Sequence, residues 1–212
     1  MPAADMSIRE NCPRAAAAHH SDVLKRLCDI VCALIAIVIF FPVYSAIALA
    51  VWLEDRHSPI YRQERIGYHG HPFTLYKFRS MIPEAETDGP HLRYENDSNL
   101  TRVGRFISAH HLDEFPQLWN VLRGDMSFVG PRPERGIFVR QIIEADPSYT
   151  RLYALRPGLF SHATLHNGYT DTLEKMIVRL HMDLDYLEHR SLWLDLRIIA
   201  ATAFAILSGR KF

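Results

Sequence analysis

Cysteine is scarce in this 212-residue chain, and all three, Cys12, Cys28 and Cys32, fall near the N-terminus. So few thiols cannot make a disulfide framework, which fits a reducing compartment. A thiolate metal centre would need more ligands than Cys28 and Cys32 supply, so the expected state is reduced thiols in apolar surroundings. Net charge is also lacking, because 24 basic side chains balance 24 acidic ones. A general nucleic-acid binder carries a basic excess, so nucleic acid is excluded as a partner. No repeat or low-complexity tract follows the alanine-rich N-terminal stretch. Most informative is a missing charge within one stretch: Ile30 to Leu53 contains no charged residue and no glycine.

About twenty apolar residues suffice to cross a bilayer as a helix. Arg9, Arg14, Lys25 and Arg26 precede the run, and Glu54, Asp55 and Arg56 follow it. The basic excess favours a cytoplasmic N-terminal side. A simple span would then place everything downstream outside. Pro42, near the middle, removes one helical hydrogen bond and allows the helix to turn back, leaving both ends on one face. Re-entrant backbone needs partners for its freed polar groups, and Tyr44 and Ser45 are candidates. Two plainer readings are a signal peptide cleaved at Ala48-Leu49-Ala50 and a buried core helix. The run is long and late for the first, and uncharged on too many faces for the second.

Residues 1–20 read as a poorly ordered tail. A helix starts near Ser21-Asp22. Ser58 to Phe78 is rich in aromatic and β-branched residues, with turn glycines at Gly67 and Gly70, and predicts a short hairpin. Strand alternation puts Lys77 and Arg79 on one face, where they can meet one anion or simply be solvated. Glu84 to Leu100, with Gly89-Pro90, is a loop. Helical spacing returns over Asp171 to His189, with capping-box spacing between Asp171 and Glu174. Trp193 to Leu207 is a further amphipathic to apolar helix, suited either to a membrane interface or to core packing.

The chemistry concentrates in Leu112–Glu134, LDEFPQLWNVLRGDMSFVGPRPE. A helix starting at Asp113 puts Pro116 in its first turn, where the missing N–H costs little. Leu118, Trp119, Val121 and Leu122 then form an apolar face. Asp113 and Glu114 lie at the positive end. The ordinary reading makes Asp113 a cap and Glu114 a dipole partner. The same physics attracts phosphate and keeps a carboxylate ionised. An ionised aspartate can attack phosphorus, and a neighbouring glutamate can hold magnesium. Arg132, between Pro131 and Pro133, presents a guanidinium matched to phosphate.

These residues resemble the bacterial sugar transferase family, the small monotopic phosphoglycosyl transferases. The likeness runs from Lys25 to about Leu207. It is carried by Lys25-Arg26-Leu27-Cys28-Asp29, by Tyr61–Gly67 (YRQERIG) and by Tyr76–Met81 (YKFRSM). It continues through Thr101–Phe106 (TRVGRF), the Leu112–Glu134 block and Arg156-Pro157-Gly158. It ends on Asp183, Tyr186, Ser191, Trp193 and Asp195. The chain departs from the pattern at Phe41, where a serine precedes the proline, and at Asn99 and Ser108, where arginines are usual. It departs again at Phe160-Ser161, which replaces Thr-Gly. His110 and His111 can offset the arginine missing at Ser108 if they are protonated.

The resemblance implies transfer of a sugar 1-phosphate from a UDP-sugar to undecaprenyl phosphate, with release of UMP. That step starts lipid-linked assembly of a surface glycan, ahead of downstream glycosyltransferases. Asp113 is the implied nucleophile, and Glu114 the magnesium ligand that assists proton transfer. Arg132, Pro131, Lys77, Arg79, Arg156 and Asp183 form the expected substrate-binding set. The implied fold is α+β and mainly helical. It comprises a tail (1–20), a re-entrant membrane helix broken at Pro42 (21–56) and a catalytic domain (57–212) with a short β-hairpin and amphipathic interfacial helices. The domain faces the cytoplasm at the bacterial inner membrane. A minimal-length member, with a homodimer among its assemblies, is expected. Two alternatives stand beside this reading: a catalytically weak relative acting as a membrane-docked assembly partner, motivated by Ser108, and a UDP-sugar hydrolase.

Overall fold

The structure, a computed structural model, describes residues 20–82, 99–167 and 172–208. The tail, most of the Glu84–Leu100 loop and Asp171 of the expected capping box lie outside the described residues. The chain opens with helix α1, His20–Asp55, which continues through Pro42 without interruption. The expected helix–break–helix is therefore one helix here. Ser45 donates its hydroxyl to the Phe41 carbonyl at 3.0 Å, one turn back, so it satisfies its own turn and leaves the carbonyl freed by proline without that partner. Cys28 and Cys32 are free and exposed on this helix, not buried as expected, because they point away from its packed stripe.

That stripe is narrow. Ala33, Ile47 and Val51 are buried, whereas Val38, Ile39, Phe41 and Leu53 are exposed. Both ends of α1 are tied to the rest of the chain. Near its start, Arg26 donates to the carbonyls of Val121 and Leu122 at 2.6 and 2.9 Å, and Lys25 pairs with Asp195 at 2.5 Å. At its end, Glu54 accepts from the Arg102 amide at 2.8 Å, and Asp55 pairs with Arg79.

The expected hairpin is present. Strand β1, Ile60–Ile66, pairs antiparallel with β2, Pro72–Phe78, in the register Ile60 to Phe78 and Ile66 to Pro72. Helix α2, Arg102–Ala109, follows, capped by the Thr101 hydroxyl accepting from the Gly104 amide at 2.9 Å. After a 3-10 turn come α3, Gln117–Arg123, and β3, Ser127–Val129. Helix α4, Gly136–Ala145, and the 3-10 segment Pro147–Ala154 lead to β4, Gly158–Phe160.

β4 lies parallel to β3, with Ser127 opposite Gly158 and Val129 opposite Phe160. Glycine is required here: a Cβ on Gly158 would sit 2.1 Å from the Gly130 nitrogen. A short helix α5, Thr164–Asn167, precedes α6, Leu173–His189, and α7, Leu192–Leu207. Helix α6 is capped by Thr172, whose hydroxyl accepts from the Lys175 amide. Met176, Leu180 and Leu184 of α6 are buried against Phe138, Val139 and Ile142 of α4. On α7, Ile198 is buried while Trp193, Leu196 and Phe204 are exposed.

Candidate active site

Helix α2 ends at Ala109 with His110 as its cap, and the chain reverses through His111, a non-glycine residue in the left-handed region at φ 55°. Backbone of this kind costs free energy and persists where the surroundings enforce it. The reversal delivers Leu112–Glu114 as a separate 3-10 turn. Helix α3 then begins at Gln117 with Pro116 as its cap residue. The dyad therefore sits one turn ahead of the helix expected to start at Asp113. The cause is Pro116, which has no N–H to bond the Leu112 carbonyl; the Phe115 amide bonds it instead, at 3.4 Å. The apolar face of α3 is also narrower than expected, because Trp119 is exposed while Leu118 and Val121 are buried.

Asn120 fixes this turn against the hairpin. Fully buried, it accepts from the Tyr76 amide at 3.1 Å and donates to the Thr74 carbonyl at 2.7 Å. That clamp brings Lys77 to the dyad: its ammonium lies 3.0 Å from a Glu114 carboxylate oxygen. Arg132 reaches the same oxygen at 3.4 Å. Burial alone would raise the Glu114 carboxyl, but Lys77 and Arg132 outweigh it and hold the group well below the usual carboxylate range. Asp113 is buried, 2% exposed, beside it. All four residues line a cavity of about 480 Å³.

Arg79 lines the same cavity, but it pairs with a different carboxylate from Lys77. Strand β2 ends at Phe78, and the Arg79 guanidinium is committed to Asp55 through two contacts of 2.5 and 2.6 Å, closing the end of α1. Arg156 donates to the Gly124 carbonyl at 3.0 Å and lies over the Tyr68 ring, so it supports the end of α3. Pro131 accepts from the Gly158 amide through its carbonyl at 2.9 Å and ties the Arg132 loop to β4. Asp183 accepts from the Ser161 hydroxyl at 2.9 Å and from the Arg132 backbone. Burial is the main cause pushing its carboxyl up to about 7, against Arg179, Ser161 and the Arg132 amide.

Ser108 is buried on the cavity wall. His110 turns to its own helix, meeting the Phe106 carbonyl at 2.8 Å. Burial lowers the pKa of His111, so its ring is neutral near pH 7 and does not replace the missing arginine. The cations that pair with Glu114 are Lys77 and Arg132.

The support beneath Arg132 is assembled from residues far apart in the chain. Glu134, 5% exposed, pairs with Arg65 at 3.2 Å and with Arg179. Arg65 also donates to the Pro133 carbonyl at 3.1 Å, and the Ile66 amide donates to the Glu134 carbonyl at 2.9 Å. The three side chains come from β1, the loop after β3 and α6. The only local signal was an acid directly after the Pro-Arg-Pro triplet.

The site suits displacement at phosphorus, with an anionic carboxylate beside fixed cations. Among the described residues no group of three or more His, Cys, Asp or Glu side chains gathers for a metal. Magnesium does not need one, because it is commonly held by one or two carboxylates together with substrate phosphates. Adjacent Asp113 and Glu114, the latter kept ionised, fit that donor set.

A family model described as bacterial sugar transferase matches residues 20–209. The UDP-N-acetylgalactosamine-undecaprenyl-phosphate N-acetylgalactosaminephosphotransferase of Aeromonas hydrophila is 38% identical over 186 residues, covering 88% of this chain and 44% of the relative. The UDP-glucose:undecaprenyl-phosphate glucose-1-phosphate transferase of Caulobacter vibrioides is 40% identical over 191 residues, 88% of this chain and 71% of the relative. The Escherichia coli protein of that same name is 39% identical over 184 residues, 86% of this chain and 40% of the relative. The chain thus spans less than half the length of two of these three relatives.

Proposed function

From the premise that the chain belongs to the bacterial sugar transferase family, we propose that it moves a sugar 1-phosphate from a UDP-sugar to undecaprenyl phosphate at a membrane surface. The observation that carries this reading is the composition of the cavity. Asp113, Glu114, Lys77 and Arg132 line one part, and Phe40 and Tyr44 of the membrane-length helix line another. A water-soluble phosphate donor and a lipid acceptor both find a matching surface there.

The Asp113 carboxylate oxygen bonds to the phosphorus that carries the sugar. The bond from that phosphorus to the bridging oxygen breaks, and UMP leaves with the electron pair. An oxygen of the acceptor phosphate then attacks the same phosphorus, and the Asp113 carboxylate leaves intact. Lys77 and Arg132 hold Glu114 ionised, and Arg132 also faces the phosphates. Glu114 would hold a magnesium ion, which would supply charge neutralisation at the diphosphate. The product starts a lipid-linked surface glycan that downstream glycosyltransferases extend.

The cytoplasmic face of the inner membrane is the matching location, because UDP-sugars are there. A monotopic arrangement is supported by α1 itself. At about 1.5 Å per residue, its 36 residues extend about 54 Å, well beyond a hydrocarbon core of about 30 Å. Yet Lys25 and Arg26 near one end and Glu54 and Asp55 at the other all contact the same folded body. A straight span would separate them. A bend at Pro42 within the continuous helix α1, returning both ends to one face, and interfacial placement of α7 complete this reading.

A panel of radiolabelled UDP-sugars with undecaprenyl phosphate tests the function. Transfer with UMP release is expected from at least one donor, and Asp113→Asn abolishes both transfer and the covalent phosphosugar adduct. No UMP from any donor sinks the reading, and an adduct that survives Asp113→Asn excludes Asp113 as nucleophile. Release of sugar phosphate at a comparable rate without lipid would establish a hydrolase instead. Protection of tags at both termini from external protease in intact cells tests the topology; cleavage of the C-terminal tag would establish a full span.

A further inference from the structure

The aromatic wall of the cavity contains a polar atom with no use in the fold. Tyr44, in the second half of α1, has a buried hydroxyl without a hydrogen-bond partner among the described residues. Its ring lies 4.9 Å from that of Phe115, the residue after Glu114, at an interplanar angle of 60°. Phe40, one turn earlier on α1, stacks on Phe115 at 5.8 Å. All three rings line the cavity that holds Asp113, Glu114 and Arg132. Leu165 and Ile206 line it as well.

A buried hydroxyl left unmatched is a net cost to folding, whereas phenylalanine would fill the same ring site without it. Tyrosine at an aromatic wall is therefore informative about what enters the cavity. The occupant must offer hydrocarbon to three ring faces and a hydrogen-bond acceptor beside them, close to the dyad. The uracil of a nucleotide sugar can stack on an aromatic ring, but its phosphates and sugar do not match the exposed hydrocarbon of α1 beside this lobe. A polyprenyl phosphate does, because its hydrocarbon begins one bond from its phosphate oxygen. The rings of Phe40 and Tyr44 also belong to the helix whose outer face is exposed hydrocarbon, so this lobe is continuous with the lipid side.

We propose that Phe40, Tyr44 and Phe115 form the acceptor subsite, with the rings taking the first isoprene units and the Tyr44 hydroxyl donating a hydrogen bond to the acceptor phosphate. The proposal rests on the transferase reading and assigns the acceptor half of it. Tyr44 is a binding residue for the second displacement and has no part in the first.

The test is Tyr44→Phe in the full chain, purified in lipid nanodiscs. Two readouts are taken: single-turnover UMP release from UDP-sugar without acceptor, and steady-state KM for undecaprenyl phosphate. A hydrogen bond to a charged group corresponds to roughly 10-fold or more in binding. The expected result is an acceptor KM raised about 10-fold, with the donor half-reaction at its original rate and the melting temperature unchanged or higher. Phe40→Leu, which keeps bulk and removes the ring, should raise the same KM and spare the same half-reaction. Tyr44→Phe with an unmoved acceptor KM overturns the proposal, as does an equal fall in both half-reactions. If the unmodified chain releases no UMP from any donor, the transferase reading and this subsite fall together. A normal donor half-reaction with an unmoved KM removes the subsite alone.

Discussion

Replacing Glu134 with glutamine tests whether the buried carboxylate, rather than the loop prolines alone, aims Arg132. The carboxylate is buried, 5% exposed, and its two side-chain partners are guanidiniums from distant parts of the chain, Arg65 and Arg179. Burial acts to raise its pKa, and Arg179, Arg65 and Arg132 more than reverse that, so it is ionised at neutral pH. Glutamine keeps the shape and removes the charge that Arg65 and Arg179 share. Removing one partner of a buried pair costs about 3–5 kcal/mol. For a chain of this length that corresponds to a fall of about 6–20 °C in melting temperature, at about 2–4 °C per kcal/mol. Scanning fluorimetry at a fixed heating rate measures it. The second variant, Glu134→Gln with Arg179→Met, restores part of the charge balance, so its loss should be smaller than the sum of the two single losses. Because Glu134 lies two residues after Arg132 and its backbone bonds Ile66, kcat/KM should fall with stability in the single variant. A loss below about 1 kcal/mol, or strict additivity of the two substitutions, would refute the reasoning.

Two further outcomes follow from titration. Lys77→Met keeps the alkyl stem and removes a principal cation depressing the Glu114 carboxyl, so the Glu114 pKa rises. Turnover that needs ionised Glu114 should then fail at a higher pH than in the parent, and an acid limb of kcat/KM that does not move disproves the link. Asp183 has its carboxyl raised from 3.8 to about 7 on folding. The folded state therefore binds more protons than the unfolded state between those values, and its stability falls as pH rises through that window, levelling off above it. Asp183→Asn keeps acceptor capacity for Ser161 and should flatten that slope in pH-dependent thermal melts; an unchanged slope would place the titration elsewhere.

The elements legible in the sequence were those whose information is local. Helix α1 declares itself through an uncharged run, and the hairpin through β-branched and aromatic residues with Gly67 and Gly70 at its turn. Asp113 and Glu114 were visible as adjacent acids, and the structure adds the partners that make their charges meaningful. What escaped depends on residues far apart in the chain. Nothing near Arg79 indicates that Asp55, 24 positions earlier, will take its guanidinium. The parallel pair β3–β4 has three residues on each side, too few for an alternation to register. The split between the dyad turn and α3 follows from a single missing N–H at Pro116, which composition places in a first turn equally well.

The charges at the dyad point to what a substrate must bring with it. Two carboxylates, Asp113 and Glu114, meet two cations, Lys77 and Arg132, and the set is neutral as folded. His111, neutral through burial, adds no charge, and neither does Ser108. A diphosphate entering such a site brings about two negative charges into surroundings of low dielectric, where uncompensated charge is costly. The same wall also carries Arg65, Arg79 and Arg179, but Glu134 pairs with Arg65 and Arg179, and Asp55 with Arg79. Under the proposed reaction, a magnesium ion held by Glu114 would offset the incoming charge and would leave both carboxylates of the dyad ionised.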